Sequence, residues 1–361
     1  MQKPSNYSFS ADLIRALAII LVVLIHVFSE FLNYPKVLGS IDWWVADIIN
    51  AGARIAVPLF IMLSGMLLLH TEKNYTLTDF FKKRVSKIGI PIIIWPIIYL
   101  TWNVWLHHTS YTIISLIKDY INLNIYYHLY YLYIIVALYL LTPIIKIVIN
   151  HASKEIKNYL MALSLALSLA LTSSIYFFQI DINLSTIYTV FIPYFGYYIA
   201  GDFFRNKKIT KKQFYLYAIS FIVLMVITAL GTRAHMNSVH LRQMGVKAID
   251  YGKYFYDYAS ITVAGMSVIA FILLHNIPGK ITPLKESKIA GSIVSLAGAS
   301  FGIYLIHPLL LEFSNRILNI SFETLPLPLF VFLCIKLTVI FLAAYLLVWT
   351  IKKIPLLRLI V

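Results

Sequence analysis

Four ionisable side chains lie along one apolar segment near the start of the chain. The stretch from Asp12 to Glu30 reads DLIRALAIILVVLIHVFSE and carries Arg15 and His26 between its two acids. A helix turns about 100° per residue, so the eleven-residue step from Arg15 to His26 leaves a difference of about 20°, and all four side chains share one face. A histidine, with a pKa near 6.5, can take and return a proton at neutral pH. This face therefore indicates acid–base chemistry beside a cation.

The apolar surroundings limit what this polar face can contact. A charged group at membrane depth costs about 2.5–3.5 kcal/mol, so we expect the face to line the interior of a bundle or a water-filled cavity. The helical rise puts His26 about 16 Å outward of Arg15. A plainer interpretation is also open, in which Asp12 and Arg15 pair at i,i+3 to anchor the helix and His26 is satisfied in the core.

A second charged group, Arg54, lies deep in another apolar run, NAGARIAVPLFIMLSGMLLL. Counted inward from Trp43, it is about 16 Å deep, and Asp47 precedes it on nearly the same face. The two can form a buried ion pair that holds helices together, or Arg54 can bind a negatively charged ligand or reaction centre. Pro58 and Gly65 in the same helix allow a kink or close packing.

Two further histidines lie toward the predicted outer side. His307, in SLAGASFGIYLIHPLLLE, is about 24 Å along its helix from the inner end, a depth similar to that of His26. Ser300 and Tyr304 lie about 20° and 60° from its face. His128 opens YYHLYYLYIIVALYLLTPII at the outer interface. Taken alone, His307 can be a core histidine and His128 can contact headgroups.

Two cations, Arg84 and Lys87, lie one turn apart at the base of the third apolar run. A pair of cations on one face at the mouth of a membrane cavity suits a phosphate group, although loop charge that only sets orientation is the alternative. The sequence has no HExxH or CxxC motif and no carboxylate cluster that would predict a metal site. It also lacks a phosphate-binding glycine loop and a GxSxG elbow.

The elements that position these residues follow from composition. The 361 residues are 60% apolar and only 12% charged, with a mean hydropathy of +0.81. A soluble domain averages about 25% charged residues, so lipid is the indicated solvent. We predict an all-α, polytopic membrane helical bundle in a single domain, 1–361. Its ten predicted spans are 11–33, 43–70, 88–106, 128–149, 159–179, 185–203, 213–232, 257–275, 291–314 and 328–351.

The positive charges predict the orientation of the bundle. Most of the 30 lysine and arginine residues lie at the two termini and in the loops after the second, fourth, sixth and eighth spans. Cytoplasmic loops are enriched in these residues, so both termini are predicted to be cytoplasmic, which an even number of spans allows. The net charge of +15 is then a topology signal, and it does not call for a nucleic-acid partner.

The chain resembles the acyltransferase-3 family of integral membrane acyltransferases. The Arg-x10-His pattern of the first span, from Arg15 to His26, resembles the signature of that family. Five further blocks follow in family order, at 57–69, 80–91, 128–143, 193–204 and 300–308. The Arg-x-x-Arg of the family is Arg84-Val-Ser-Lys87 here, which keeps the charge but not the bidentate fork. We expect a stand-alone member without the extracellular SGNH domain of many relatives.

The resemblance implies a membrane enzyme that moves an acyl group, usually acetyl from acetyl-CoA, to a sugar hydroxyl. The acceptor would be a surface polysaccharide or a lipid-linked glycan of the cell envelope, and the location the bacterial cytoplasmic membrane. The partners would be acyl-CoA, the sugar acceptor and membrane lipids, with no nucleic acid and no metal. The main alternative is a transporter or flippase, because intramembrane charges also mark substrate and proton paths.

The resemblance and the helix geometry together suggest a role for each candidate residue. Arg15, Arg84 and Lys87 would hold the phosphates of CoA. His26 would act as general base, with Glu30 or Asp12 setting its tautomer, or would carry the acyl group transiently. Arg54 would stabilise the thioester oxyanion. His128 and His307 would position or deprotonate the acceptor, and Ser300 and Tyr304 are predicted to help bind it.

Overall fold

A computed structural model describes residues 9–34, 37–69, 76–244, 252–280, 288–321, 324 and 327–361. Within these ranges the regular secondary structure is entirely helical, with no strand, so the predicted fold class is confirmed. Parts of the termini and loops used to predict orientation lie outside the described residues, at 1–8, 35–36, 70–75, 245–251 and 281–287.

The helices follow one another through short connections. In chain order the α-helices are α1 (Phe9–Leu32), α2 (Ile41–Ala53), α3 (Ala56–Leu68), α4 (Leu77–Arg84), α5 (Pro91–His107), α6 (Ile113–Ile121), α7 (Tyr130–His151), α8 (Lys154–Phe177), α9 (Phe195–Phe203), α10 (Lys211–Gln243), α11 (Lys253–Tyr256), α12 (Ile261–Lys280), α13 (Lys288–Glu312) and α14 (Leu329–Ile351). Two π-helical turns, Val85–Gly89 and Phe313–Ile317, continue α4 and α13, and 3-10 turns lie at Ile192–Tyr194 and Leu357–Ile360.

Nine helical stretches within the described ranges are long and apolar enough to cross a membrane. They are Phe9–Leu32, Ile41–Leu68, Leu77–His107, Tyr130–His151, Lys154–Phe177, Lys211–Arg242, Lys253–Ile277, Ile289–Ile317 and Leu329–Ile351. Large apolar side chains such as Leu216 and Ile219 on α10 lie exposed on the outside, where lipid is the solvent that suits them. The chain is a multi-pass membrane protein.

The sixth predicted span, 185–203, is not one long helix. Its second half forms the nine-residue α9, and its first half is a series of turns. Side chains there bind the local backbone: Thr189 Oγ1 donates to the Asn183 carbonyl (2.9 Å), and the Ser185 amide donates to Asn183 Oδ1 (2.9 Å). Such bonds compete with the helical ladder, and Pro193 disfavours helix in the residue before it. In the described part of the chain, nine helical stretches long enough to cross a membrane are therefore found where ten spans were predicted.

Helix α1 lies at the centre of the bundle. It packs against α2, α3, α12, α13 and α14, so its polar face is turned toward other helices. The second predicted span is divided into α2 and α3 by a break at Arg54 and Ile55, and Pro58 lies in the first turn of α3. Arg54 thus projects from a helix end inside the bundle.

Helices α3 and α9 cross in very close contact through two glycines. A Cβ added to Gly65 would lie 1.8 Å from the carbonyl oxygen of Tyr198, and one added to Gly201 would lie 1.8 Å from that of Met62. Small residues allow helix backbones to approach each other in membranes. The short α9 is held against α3 in this way despite being too short to cross a membrane alone.

Candidate active site

Three of the predicted histidines meet at one point in the bundle. The ring centroid of His26, on α1, lies 5.2 Å from that of His307 on α13. His128, in the turn before α7, lies 5.9 Å from His307. Tyr127 completes the group, with its ring 4.9 Å from His26. His128 and His307 are buried, whereas His26 and Tyr127 are partly exposed, so this histidine cluster is accessible on the side of His26.

A backbone contact determines the tautomer of His307. Its Nδ1 lies 3.1 Å from the carbonyl oxygen of Ile303, and because a carbonyl can only accept, Nδ1 carries the proton. The lone pair is then on Nε2, a buried atom with no hydrogen-bond partner among the described residues. Leaving such a group unpaired costs about 1–3 kcal/mol. This nitrogen is therefore positioned to accept a hydrogen bond from a group that enters the site.

Arg54 supplies positive charge next to the histidine cluster. It is 7% exposed, its guanidinium carbon lies 3.9 Å from the ring centroid of Tyr256, and it is within electrostatic range of His26. Asp47 accepts a hydrogen bond from Thr232 (2.7 Å), and among the described residues no direct ion pair joins it to Arg54, although the charge of Arg54 acts on Asp47. Both interpretations of Arg54, pairing with Asp47 and binding a negatively charged ligand, therefore stay open. The stacked ring holds the guanidinium in place without neutralising it.

A cavity of about 660 Å³ opens at the amino-terminal end of α1. Its wall contains all three cations predicted to bind phosphate, namely Arg15, Arg84 and Lys87, together with Lys83 and Arg358. Five cations around one cavity make a strongly positive surface, which favours a ligand with several negative charges.

Local contacts position two of the three predicted cations. Arg15 Nη1 lies 3.2 Å from Asp12 on the preceding turn. The guanidinium of Arg84, at the end of α4, packs over the rings of Phe80 and Tyr139. Lys87 lies in the π-helical turn that follows, and turns of this kind are frequent at functional sites. Aromatic and acidic neighbours thus hold side chains that would otherwise repel one another.

The predicted residues Ser300 and Tyr304 lie in the wall of the cavity on α13. Ser300 donates to the carbonyl of Ala297 (2.8 Å). The hydroxyl of Tyr304 donates to the carbonyl of His128, and its ring lies 5.2 Å from the ring of His128. Tyr304 therefore borders the cavity on one side and the histidine cluster on the other.

The two acids of the first helix have partners other than His26. Asp12 pairs with Arg15, which puts it at the cationic end, about 21 Å along α1 from His26. Glu30 accepts a hydrogen bond from Lys336 Nζ (2.7 Å) and another from Asn315. The structure thus places Asp12 with the phosphate-binding candidates and Glu30 in a polar group with α14.

Sequence reasoning missed a second acid beside the cluster, Glu312. Its carboxylate accepts hydrogen bonds from Tyr126 (2.7 Å) and Trp102 (2.8 Å) and lies within 2.7 Å of His107 Nε2 and 3.1 Å of Arg316. Burial and the hydrogen bond to Glu312 raise the pKa of Tyr126, so the phenol of Tyr126 stays protonated and donates. The sequence offered a signal for both residues that were missed, because a charged residue inside an apolar run is unusual. Glu312 lies in the run HPLLLEF, and Lys336 lies in the run LCIKL.

The arrangement of the side chains that meet in the site also bears on metal binding. In the ranges that the structure describes, no group of three or more histidine, cysteine, aspartate or glutamate side chains is arranged to hold a metal ion. What the described site offers is a histidine cluster, a nearby arginine and a cationic cavity.

Comparison with known proteins gives one match. The model of the acyltransferase-3 family, described as "Acyltransferase domain", matches residues 9–349, nearly the whole chain. No curated protein matches the chain, and no solved structure does.

Proposed function

The chain belongs to the acyltransferase-3 family, and from this premise we propose that it is an acyl-CoA-dependent O-acyltransferase, with acetyl as the acyl group. The acceptor is a hydroxyl of a sugar in a surface polysaccharide or lipid-linked glycan. The location is the bacterial cytoplasmic membrane, with the cationic cavity toward the cytoplasm, where acyl-CoA is made.

One observation carries this proposal: a single cavity holds five cations and reaches Tyr304, which in turn contacts the histidine cluster. In this proposal Arg15, Arg84 and Lys87 bind the phosphates of CoA, and the pantetheine arm lies along the cavity wall. The thioester then arrives beside Tyr304, next to His128 and close to His26. Along α1, Arg15 and His26 are about 16 Å apart, and this is the distance that the pantetheine arm must span between the cations and the histidines.

His26 takes the proton in the proposed reaction. Its imidazole removes the proton of the acceptor hydroxyl while the hydroxyl oxygen attacks the thioester carbon. The carbonyl oxygen gains negative charge, which Arg54 stabilises from its position near His26. The C–S bond then breaks, the CoA thiolate leaves, and the imidazolium returns the proton to it. The products are an ester of the sugar and free CoA.

The other two histidines orient the acceptor. His307 accepts a hydrogen bond at Nε2, since its Nδ1 proton is held by Ile303. A sugar hydroxyl other than the reacting one donates to this nitrogen, which holds the reacting hydroxyl next to His26, whose ring is 5.2 Å from that of His307. His128 borders the same space together with Tyr304. Access for the sugar is on the side of Tyr127 and Glu30, which are both exposed.

The test uses the protein purified in detergent. CoA release from acetyl-CoA is measured with a panel of oligosaccharides and a glycolipid extract as acceptors, and CoA binding is measured by calorimetry. His26→Ala should lose transfer by about 10²–10⁴-fold, the usual contribution of a general base, while CoA binding remains. His151→Ala, on an exposed histidine at the end of α7, is the matched control and should transfer normally.

The outcomes separate the competing functions. Full transfer by His26→Ala would exclude His26 as the base. Wild-type protein that neither binds CoA nor releases it from acetyl-CoA would refute the enzyme and favour a transporter. An acyl group that stays on the protein after acetyl-CoA alone, and is lost in His26→Ala, would favour an acyl-histidine intermediate over direct transfer.

A further inference from the structure

The residues that follow α14 return to the bundle and pack against it. Lys352 Nζ donates to the carbonyl of Gly298 on α13 (2.5 Å). The buried indole of Trp95 on α5 donates from Nε1 to the carbonyl of Ile360 (2.7 Å). Val361 packs so closely on α13 that a Cβ added to Gly302 would lie 2.9 Å from it. The segment 352–361 is therefore held at three points.

This attachment makes the segment part of the cavity wall. Arg358, Leu359 and Val361 line the same cavity as Arg15 and the cations of the α4 region. The charge pattern had explained Arg358 only as one of the cytoplasmic positive charges. In the structure it is a cavity cation contributed by an element separate from α1 and from α4.

We propose that Arg358 is a further phosphate-binding residue for the acyl donor, and that Trp95 positions it by holding residue 360. This rests on the proposed acyl-CoA-dependent function. CoA carries a diphosphate and a separate 3′-phosphate, so a donor of this class presents negative charge at more than one place. Cations on separate walls of one cavity match such a ligand, and a guanidinium binds phosphate in a bidentate manner.

The experiment compares two donors with the full-length protein. One is acetyl-CoA and the other is S-acetylpantetheine, which has the same thioester arm but no phosphate. Arg358→Ala should raise the KM for acetyl-CoA by about tenfold, the loss expected for one charge-assisted contact, with little change in kcat. The KM for S-acetylpantetheine should not change. Lys353→Ala is the matched control, because Lys353 lies over the ring of Trp349 and is not part of the cavity wall.

Trp95→Phe tests the positioning role. It removes the indole N–H but keeps an aromatic ring, so the KM for acetyl-CoA should rise while that for S-acetylpantetheine stays the same. In the double variant with Arg358→Ala, the KM should be no higher than in Arg358→Ala alone. Effects that multiply would overturn the positioning role of Trp95.

The result that would overturn the main inference is an unchanged KM for acetyl-CoA in Arg358→Ala, or an equal rise for both donors. Should Arg358→Ala fail to fold, Arg358→Gln replaces it, with the same two outcomes. Wild-type protein without any acetyl-CoA-dependent transfer would instead refute the proposed function, so the two failures are distinguishable.

Discussion

The pair formed by Glu30 and Lys336 allows a test in which two single substitutions should have unequal effects. Lys336 Nζ lies 2.7 Å from Glu30 and 2.5 Å from Asn315 Oδ1. The side chain of Lys336 is 5% exposed and that of Glu30 is 35% exposed. Glu30→Gln leaves a buried cation whose partners are all neutral, whereas Lys336→Met leaves an acid that is partly exposed. Glu30→Gln should therefore destabilise the protein more than Lys336→Met.

The exposed fractions set the size of this difference. Breaking a buried ion pair by removing one partner costs about 3–5 kcal/mol. In Glu30→Gln the neutral partners of Lys336 keep the loss at the lower end, about 3 kcal/mol. Lys336→Met should cost about 1 kcal/mol, since an accessible ion pair contributes little. The double variant leaves no unpaired charge, and its stability should lie above that of Glu30→Gln.

The assay is thermal unfolding of the four proteins in one detergent. Glu30→Gln should lower Tm by several degrees, and Lys336→Met by clearly less. Glu155→Gln and Lys118→Met, which change exposed residues of the same types, control for net charge and should leave Tm nearly unchanged. A Tm for Lys336→Met at or below that of Glu30→Gln would refute the reasoning from burial.

Two further predictions concern helix packing and chemistry. Gly201→Ala should lower Tm and activity together, because the added Cβ would overlap the carbonyl oxygen of Met62. The expected loss of stability is about 1–3 kcal/mol or more. Gly291→Ala is the control and should be neutral, since nothing lies within 4 Å of a Cβ added there. An unchanged Tm for Gly201→Ala would contradict the close crossing of α3 and α9. Arg54→Lys should lower kcat by about 100-fold and leave the KM for acetyl-CoA unchanged, because the planar guanidinium over the ring of Tyr256 is lost. A rise in KM alone would instead assign Arg54 to binding of the donor.

Helix periodicity predicted the parts of the site that lie along single helices. The angle between Arg15 and His26 depends only on residue spacing, and a continuous helix carries both residues in the structure. The depths of His26 and His307, counted on two separate helices, were similar, and their rings are in contact. Such arithmetic works when a helix is unbroken and crosses the bundle.

Contacts between helices were not predictable in the same way. The partners of Glu30 are Asn315 and Lys336, which are 285 and 306 residues away in the chain, and no spacing within α1 indicates them. The sixth predicted span failed because local side-chain bonds at Asn183 compete with a helix that its hydropathy favours. Arg358 was missed because a loop cation has the same appearance in sequence whether it contacts headgroups or a ligand.

The position of Tyr304 constrains the path that the thioester takes in the proposed transfer. Tyr304 lines the cationic cavity and its ring lies 6.2 Å from that of His307, so a thioester bound in the cavity would have to pass this side chain to reach His26. The hydroxyl of Tyr304 is bound to the carbonyl of His128, which ties the ring to the segment that leads into α7. In the proposed transfer the acceptor would arrive from the opposite side, past Tyr127. Under this proposal donor and acceptor would approach from different ends, and a bound acceptor would fill the exposed side of the histidine cluster, which would favour transfer to the sugar over hydrolysis.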